Sequence, residues 1–575
     1  MQFPYDSLVV TKRERLRKLK GLLRDDDLET VRQGIDLVCG LDDPSVFGAL
    51  LEGCAIVDGK PVLGRTFVAS KRLEGNLMFA WLALVGAAGP GIPRDESLKQ
   101  PRVLDLSERR LPAWPDTAPT FASLHTLVLS RCWLDAVPGF VRELVELREL
   151  RLDGNQLDAL AHLDALDALE NLDASQNRIA ELPPEACRPA LRHLDLRDNP
   201  IASISTGIRT LGELRTLLLR NAKLGTLPTI ALPKLGRLEA TRCGVQSIES
   251  LVGLTALETL DLRDNELREL PDLSACPALE TLDVTHNRLG TLPRSIGDLP
   301  RLRRLRASYN PLAELPDTLG NASGLRAISV SDSAIAAMPA SLGNLAGLRQ
   351  LDVSRARLEV LDLRGLSSLR ALDASHNQIG ELDVSDCRDI ASIVATDNII
   401  AKIAGLADAR SLEVLDLARN RMRALPKKVA SMKKLRSVIL SSNRLDALPD
   451  GPWPALVELD IEENRIRELP MLRDCLSLQK LVVSRNRLDA ITAESLPKRL
   501  RILRAVDCNL SVLGGAFDEL PLDTVDLRDN ALTTVPAALW GIARVQEIDL
   551  RNNPLDEATR ERIRALKHLY VRTSE

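Results

Sequence analysis

The sequence predicts an α/β repeat solenoid, in which short coils share one aliphatic interior and pair their strands into a continuous parallel sheet. Three observations predict it. A pattern LxxLxLxxNxL runs from Leu104 to the end of the chain, and its asparagine column returns at every step after 21, 22 or 23 residues. The apolar matter is overwhelmingly aliphatic: hydrophobic residues make up 45% of the 575 residues and aromatics only 3%, as expected when one Leu-rich unit is copied many times.

A representative copy reads Leu257, Leu260, Leu262, Asn265, Leu267, and 21 such copies place the marker column at 109, 132, 155, 177 and onward to 530 and 553. One unit exposes more leucine surface than it can hide, so it is stable only against its neighbours. Residues such as Leu260 and Leu262 point inward from a short strand, and successive strands pair about 4.8 Å apart. As the chain leaves each strand its buried backbone needs partners, which the Asn amide supplies. Fourteen marker positions are Asn and three, at 132, 243 and 508, are Cys. In twelve copies the turn after the marker carries Pro, as at Leu270-Pro271, Leu292-Pro293 and Leu315-Pro316, which stops strand pairing and starts the return segment.

Stretches such as Leu292-Pro293-Arg294-Ser295-Ile296-Gly297-Asp298-Leu299 resemble the intracellular leucine-rich-repeat class typified by Ras-binding scaffolds. The resemblance covers about four-fifths of the chain. It implies a leucine-rich-repeat horseshoe with the parallel sheet on its concave face and a protein partner. The partner's identity stays open, because the same consensus serves proteins that bind GTPases, phosphatases and kinases. Three successive copies, at Leu361-Asp362, Leu382-Asp383 and Ile403-Ala404, lack the Pro, which predicts a local change of curvature over 357–405 or simply a cluster of variant units.

Residues 1–100 follow a helical period instead: Leu16, Leu19 and Leu23, then Leu28, Val31, Ile35 and Val38, then Val46, Phe47, Leu50 and Leu51. Asp25 to Asp27 precede the second helix, and Asp43 before Pro44 is an N-cap with Pro at the first helical position. Asp58-Gly59 predicts a tight turn, Leu77 to Val85 a buried helix, and Gly86 to Pro93 a joint. This region is expected to be a mainly helical cap over the first leucine face, or a separate docking module. The solenoid then spans 101–555. Residues 556–575 predict a C-terminal capping helix from Ile563, Leu566, Leu569 and Tyr570, which leaves no room for an appended catalytic domain.

A net charge of −4 and a pI near 6.0 give no global attraction to nucleic acid or an anionic membrane. Nine widely spread cysteines without a CxxC pair suit a reducing compartment. Met1 leads into the charged Lys12-Arg13-Glu14-Arg15 without an apolar signal core, and the run from Leu77 to Ala88 is too short to span a bilayer, so a cytoplasmic location without a transmembrane segment is expected. The six histidines are scattered, Gly86 to Gly91 lacks the Lys-Ser/Thr ending of a phosphate loop, and no GxSxG or HExxH motif occurs. No enzyme activity, cofactor, metal or small-molecule substrate is therefore expected.

What remains for function is the outward side of the sheet. The position between the two strand leucines is Asp in eleven copies, including Asp173, Asp195, Asp261, Asp283, Asp352, Asp373, Asp416 and Asp460, either as an acidic stripe or as a consensus residue paired with nearby arginines. Val128, Leu218, Val394, Ile439 and Val482 replace that Asp and are expected to face solvent as contact points. Arg303, Arg326, Arg349 and Arg370 recur at one position in four successive copies, with Arg304, Arg306 and Tyr309 beside the first. Arginine and tyrosine are favoured interface anchors. These residues predict a non-catalytic protein-binding scaffold or adaptor that meets an acidic protein surface at 303–370. The alternative is a regulatory subunit or effector controlling a small GTPase, phosphatase or kinase.

Overall fold

The computed structural model describes residues 12–25, 27–41, 43–58, 60–64, 66–67, 74–87, 101–542, 545–566 and 571–574. The chain divides into two compact units, one of residues 1–267 and 271–279, the other of 268–270 and 280–575.

The first unit begins with the anticipated helices, α1 (Lys12–Leu22), α2 (Leu28–Gly40), α3 (Pro44–Leu50) and α4 (Glu74–Ala87). The Asp27 carboxylate accepts from the Thr30 amide, and Asp43 accepts from Ser45 with Pro44 in the first turn, so both predicted caps form. Leu23, Val31, Val38, Leu50 and the apolar run from Met78 to Val85 are buried together. A short antiparallel hairpin pairs Ala55–Val57 with Lys60–Val62 on either side of Asp58. The expected joint after α4 lies outside the described residues.

From Val103–Asp105 to Thr259–Asp261, eight three-residue strands pair in parallel, each with the next copy's strand and with no register slip. The second unit repeats the arrangement over fourteen strands, from Thr281–Asp283 to Val571–Arg572. Strand alternation sends Leu260 and Leu262, and their equivalents in each coil, fully into the interior. Pro138, Pro293, Pro316, Pro339, Pro426 and Pro536 each hold extended backbone at the start of a five-residue 3-10 turn, which returns the chain economically.

Where the proline is missing, the freed amides build a second, smaller parallel ladder. Glu381–Asp383 pairs with Lys402–Ala404, and Ala490–Thr492 with Val512–Gly514, all three residues long. Pro183 and Pro228 cut the corresponding strands at Glu181–Leu182 and Thr226–Leu227 to two residues. Glycine turns the Pro-less coils instead: at Gly365 (φ 82°) and Gly405 (φ 73°) a Cβ would strike the Gly343 carbonyl oxygen and the Ser385 amide.

At the end of the chain, α5 (Glu557–Arg564) is capped by Asp556, as the helical period predicts up to Leu566. Leu569 and Tyr570 lie outside the described residues. Val571–Arg572 then returns to pair beside Ile548 and Asp549, adding an edge strand the sequence did not foretell.

Candidate protein-binding face

The strand exits explain what most of the polar pattern is for. All fourteen marker asparagines are buried. Asn420 is typical: its Oδ1 accepts from the Ile400 amide of the preceding coil at 2.9 Å, while Nδ2 donates to Ala395 at 2.8 Å and to its own coil's Leu417 at 3.1 Å. Cys132, Cys243 and Cys508 keep the donor half of this role, with Sγ 2.9–3.1 Å from the carbonyls of Leu106, Leu219 and Val483. Burial pushes each of these thiols up to about 11, so they are held as neutral donors rather than as nucleophiles.

The residue before each marker turns through the left-handed region in all 21 copies, from Glu108 (φ 61°) to Asn552 (φ 57°), including His286, Tyr309 and His376. Six of these residues are Asp and two are Asn, side chains that tolerate this backbone best. His286 and His376 thus share one backbone position, immediately before the marker. Among the described residues no group of three or more metal-ligating side chains comes together, and no helix is long and apolar enough to cross a membrane.

The Asp column on the sheet face has two environments. Asp195, Asp261, Asp526 and Asp549 each bind an arginine two residues on, Arg197, Arg263, Arg528 or Arg551, with the Arg Nε donating at 2.9–3.0 Å. Asp283 is met by Arg306 of the next strand at 3.5 Å. Asp373, Asp416 and Asp460 make no ion pair among the described residues, because Ser375, Ala418 and Glu462 stand where an arginine would be. Burial pushes the Asp416 and Asp460 carboxyls upward, opposed by one backbone amide each.

The arginine column is brought together as the spacing predicts. Arg326, Arg349 and Arg370 each donate a backbone amide to the arginine of the preceding coil, at 2.8, 2.8 and 2.9 Å, so the four stand on adjacent rungs immediately before the strands. All four side chains are exposed. Arg303 meets Glu280 at 3.6 Å, and Arg326 folds onto the carbonyls of Ser323 and Leu325. Arg349 and Arg370 have no ion-pair partner among the described residues. Arg304 and Arg306 sit on the sheet face itself. Tyr309 is not part of this row: it lies past the far end of its strand, 48% exposed and stacked on His286 with ring centroids 4.0 Å apart.

The apolar departures correct the expectation drawn from sequence. Leu218 and Val482 are only 8% and 4% exposed, and Val128, Val394 and Ile439 are half-buried. Strands about 4.8 Å apart let each neighbouring rung cover most of a branched side chain. Leu218 lies between Asp195 and Glu239, each of which is paired with an arginine. Another feature escaped the sequence reading. From Asp373 the column alternates acid and aliphatic rung by rung, as Asp373, Val394, Asp416, Ile439, Asp460 and Val482. Reading the residue at this one position copy by copy along the sequence would have exposed it.

Comparison with known proteins agrees with this architecture. The family described as a leucine-rich repeat region matches residues 238–392. Podocan-like protein 1 of Mus musculus is 31% identical over 193 residues, which is 31% of this chain and 34% of that protein, so the chain spans about a third of that relative's length. Among solved structures, a TDR receptor is similar with a TM-score of 0.59 at 21% identity, over 82% of this chain and 84% of that one. The plant peptide hormone receptor RGFR1 in complex with RGF2 gives 0.56 at 20% identity, over 79% and 91%. The repeat, its buried ladder and these likenesses together make the chain a leucine-rich-repeat protein.

Proposed function

We propose that the chain is a non-catalytic protein-binding scaffold, working in a reducing compartment, whose sheet face meets an acidic protein surface through Arg303, Arg326, Arg349 and Arg370. One observation carries the reading: four exposed arginines are fixed on adjacent rungs by backbone hydrogen bonds of 2.8–2.9 Å, and the last two have no internal counter-ion among the described residues. Nothing in the coil consensus requires cations there, and guanidinium groups suit carboxylate recognition. That a solenoid of this fold can receive a ligand is illustrated by RGFR1, whose structure is a complex with RGF2. The nine cysteines are free and eight are buried, in keeping with a reducing compartment.

The test is affinity capture with crosslinking, comparing the intact chain with its Arg349→Glu, Arg370→Glu variant. Recovery of acidic-surfaced partners should fall at least tenfold, and an unchanged set of partners refutes the reading. Turnover of any recovered GTPase, phosphatase or kinase, with and without the chain, separates a plain scaffold from a regulatory subunit.

A further inference from the structure

We propose that the sheet face of the second unit from Asp373 to Val482 is the seat of a basic amphipathic helix laid across the strands. Its cations would stand at seven-residue intervals over Asp373, Asp416 and Asp460, and its aliphatic side chains midway, over the half-buried Val394 and Ile439. This rests on the reading that the sheet face binds protein, and it names the chemistry of one occupant at a place separate from the arginine row.

Three observations carry it. The six residues occupy successive rungs in strict register, each paired directly with the next. None of the three carboxylates has an arginine two residues on, where Ser375, Ala418 and Glu462 stand, a lack they share with Asp352 and in contrast to the bidentate pairs at Asp195, Asp261 and Asp549. At the margin of the same face the hydroxyl of Ser375, a residue 6% exposed, is buried without a hydrogen-bond partner. Ser354, at the equivalent place one coil earlier, donates its hydroxyl to Asp352 at 2.7 Å. One buried hydroxyl is left without a partner, and three acids, each accepting one backbone amide, are left without an ion pair.

The spacing chooses between occupants. Carboxylates on every second rung are about 9.6 Å apart. A helix crossing the rungs presents the same face every seven residues, a rise of about 10.5 Å. The mismatch, about 2 Å across three carboxylates, is within the reach of lysine side chains. An extended chain repeats a face every two residues, about 6.7 Å, and falls out of step at once. The flanking columns also leave room. Over the three middle rungs Ser392, Val414 and Ser437 line one side, and Thr396, Ala418 and Ser441 the other, all small side chains on half-buried positions, whereas the last two rungs are flanked by the Glu458–Lys480 ion pair and Glu462. Arg504, exposed on the rung after Val482, ends the stripe by repelling a further cation.

The experiment uses the full chain and two labelled synthetic peptides of identical composition, both shown to be helical by circular dichroism. One carries Lys at every seventh position with Leu midway, the other Lys at every fifth. Fluorescence anisotropy should show the first binding at least tenfold more tightly, and Asp416→Asn with Asp460→Asn, isosteric changes that keep the fold, should remove that preference. Arg349→Glu with Arg370→Glu should leave it intact, so that failure here and failure of the scaffold reading are distinguishable. Equal binding of the two peptides, binding of neither, or affinity unchanged by the Asn variant would each overturn the proposal.

Discussion

Replacing Asn443 tests the ladder at the level of single atoms. Its Oδ1 accepts from the Met422 amide at 2.9 Å, and its Nδ2 donates to the Leu417 carbonyl at 2.8 Å and to Leu440 at 3.0 Å. The Leu440 carbonyl also receives Asn464 at 2.9 Å, so it keeps a partner when Asn443 is lost. Asn443→Ala therefore orphans one buried group, the Met422 amide, because the Leu417 carbonyl likewise keeps Asn420 at 3.1 Å. The orphaned amide costs about 1–3 kcal/mol. Asn443→Cys should cost about 0.5–1.5 kcal/mol less than the Ala variant, because a thiol at this position restores the second donor to Leu417, as Cys243 donates to Leu219 at 2.9 Å, while the Met422 amide stays without its acceptor. A long repeat array does not unfold in one step, so the readout is hydrogen exchange of the amides between Met422 and Leu445. Their opening should accelerate on the order of ten- to a few hundredfold in the Ala variant, and less in the Cys variant. Equal acceleration in the two variants would refute the division of the ladder into a donor half and an acceptor half. No acceleration in either would refute the ladder.

The remaining predictions concern charge, thiols and the turn. Asp416 and Asp460 have folded pKa values above their unfolded ones, so the stability they contribute is present while they are protonated and is lost as pH rises through the ordinary carboxylate range to the elevated value. Asp416→Asn with Asp460→Asn should accordingly stabilise their coils at neutral pH, with the advantage vanishing below that range; an advantage that grows in acid would contradict the assignment. Only Cys39 is exposed, so a thiol reagent should modify one cysteine quickly in the native chain and the other eight on denaturation, and rapid labelling of Cys132, Cys243 or Cys508 would show that burial does not control them. Gln176 sits at φ 55°, where a β-branched residue is poorly accommodated, so Gln176→Val should lower thermal stability by about 1–2 kcal/mol while Gln176→Gly does not. Equal melting of the two variants would remove backbone strain as the explanation.

The interior was legible because each coil solves the same problem with the same atoms. Leu260, Leu262 and Asn265 are dictated by burial and by backbone groups that need partners, so their spacing alone places them. The helical caps at Asp27 and Asp43 were legible for the same local reason. Features that depend on a neighbouring rung were harder. Val482 looks exposed in its own coil, and only the strand beside it, carrying Asp460, reveals that it is covered. The hairpin at Ala55–Val57 and the edge strand at Val571–Arg572 are too short for a period to emerge from them. Tyr309 was grouped with Arg303 by closeness in sequence, whereas the strand between them carries them to opposite ends.

The contrast within the Asp column bears on function because the two environments differ in cost. An Asp closed by its own coil's arginine, as at Asp549 with Arg551, brings its counter-ion with it, and the chain could repeat that unit indefinitely. A half-buried carboxylate set between Val394 and Ile439 is desolvated with the Ala418 amide and the charge of Arg419 offsetting only part of the cost, and it weakens the folded coil. Such a departure from the locally favourable arrangement is what a functional surface retains and a purely structural one sheds. It also begins where the arginine row ends: Ala391 and Glu413 follow Arg370 in that column, while Val394 and Asp416 open the alternation. The second unit therefore offers adjoining surfaces of opposite charge, and a partner with an acidic body and a basic helix would engage both. Losing either surface alone should then weaken binding, and losing both should cost the product of the two fold-changes if they act independently.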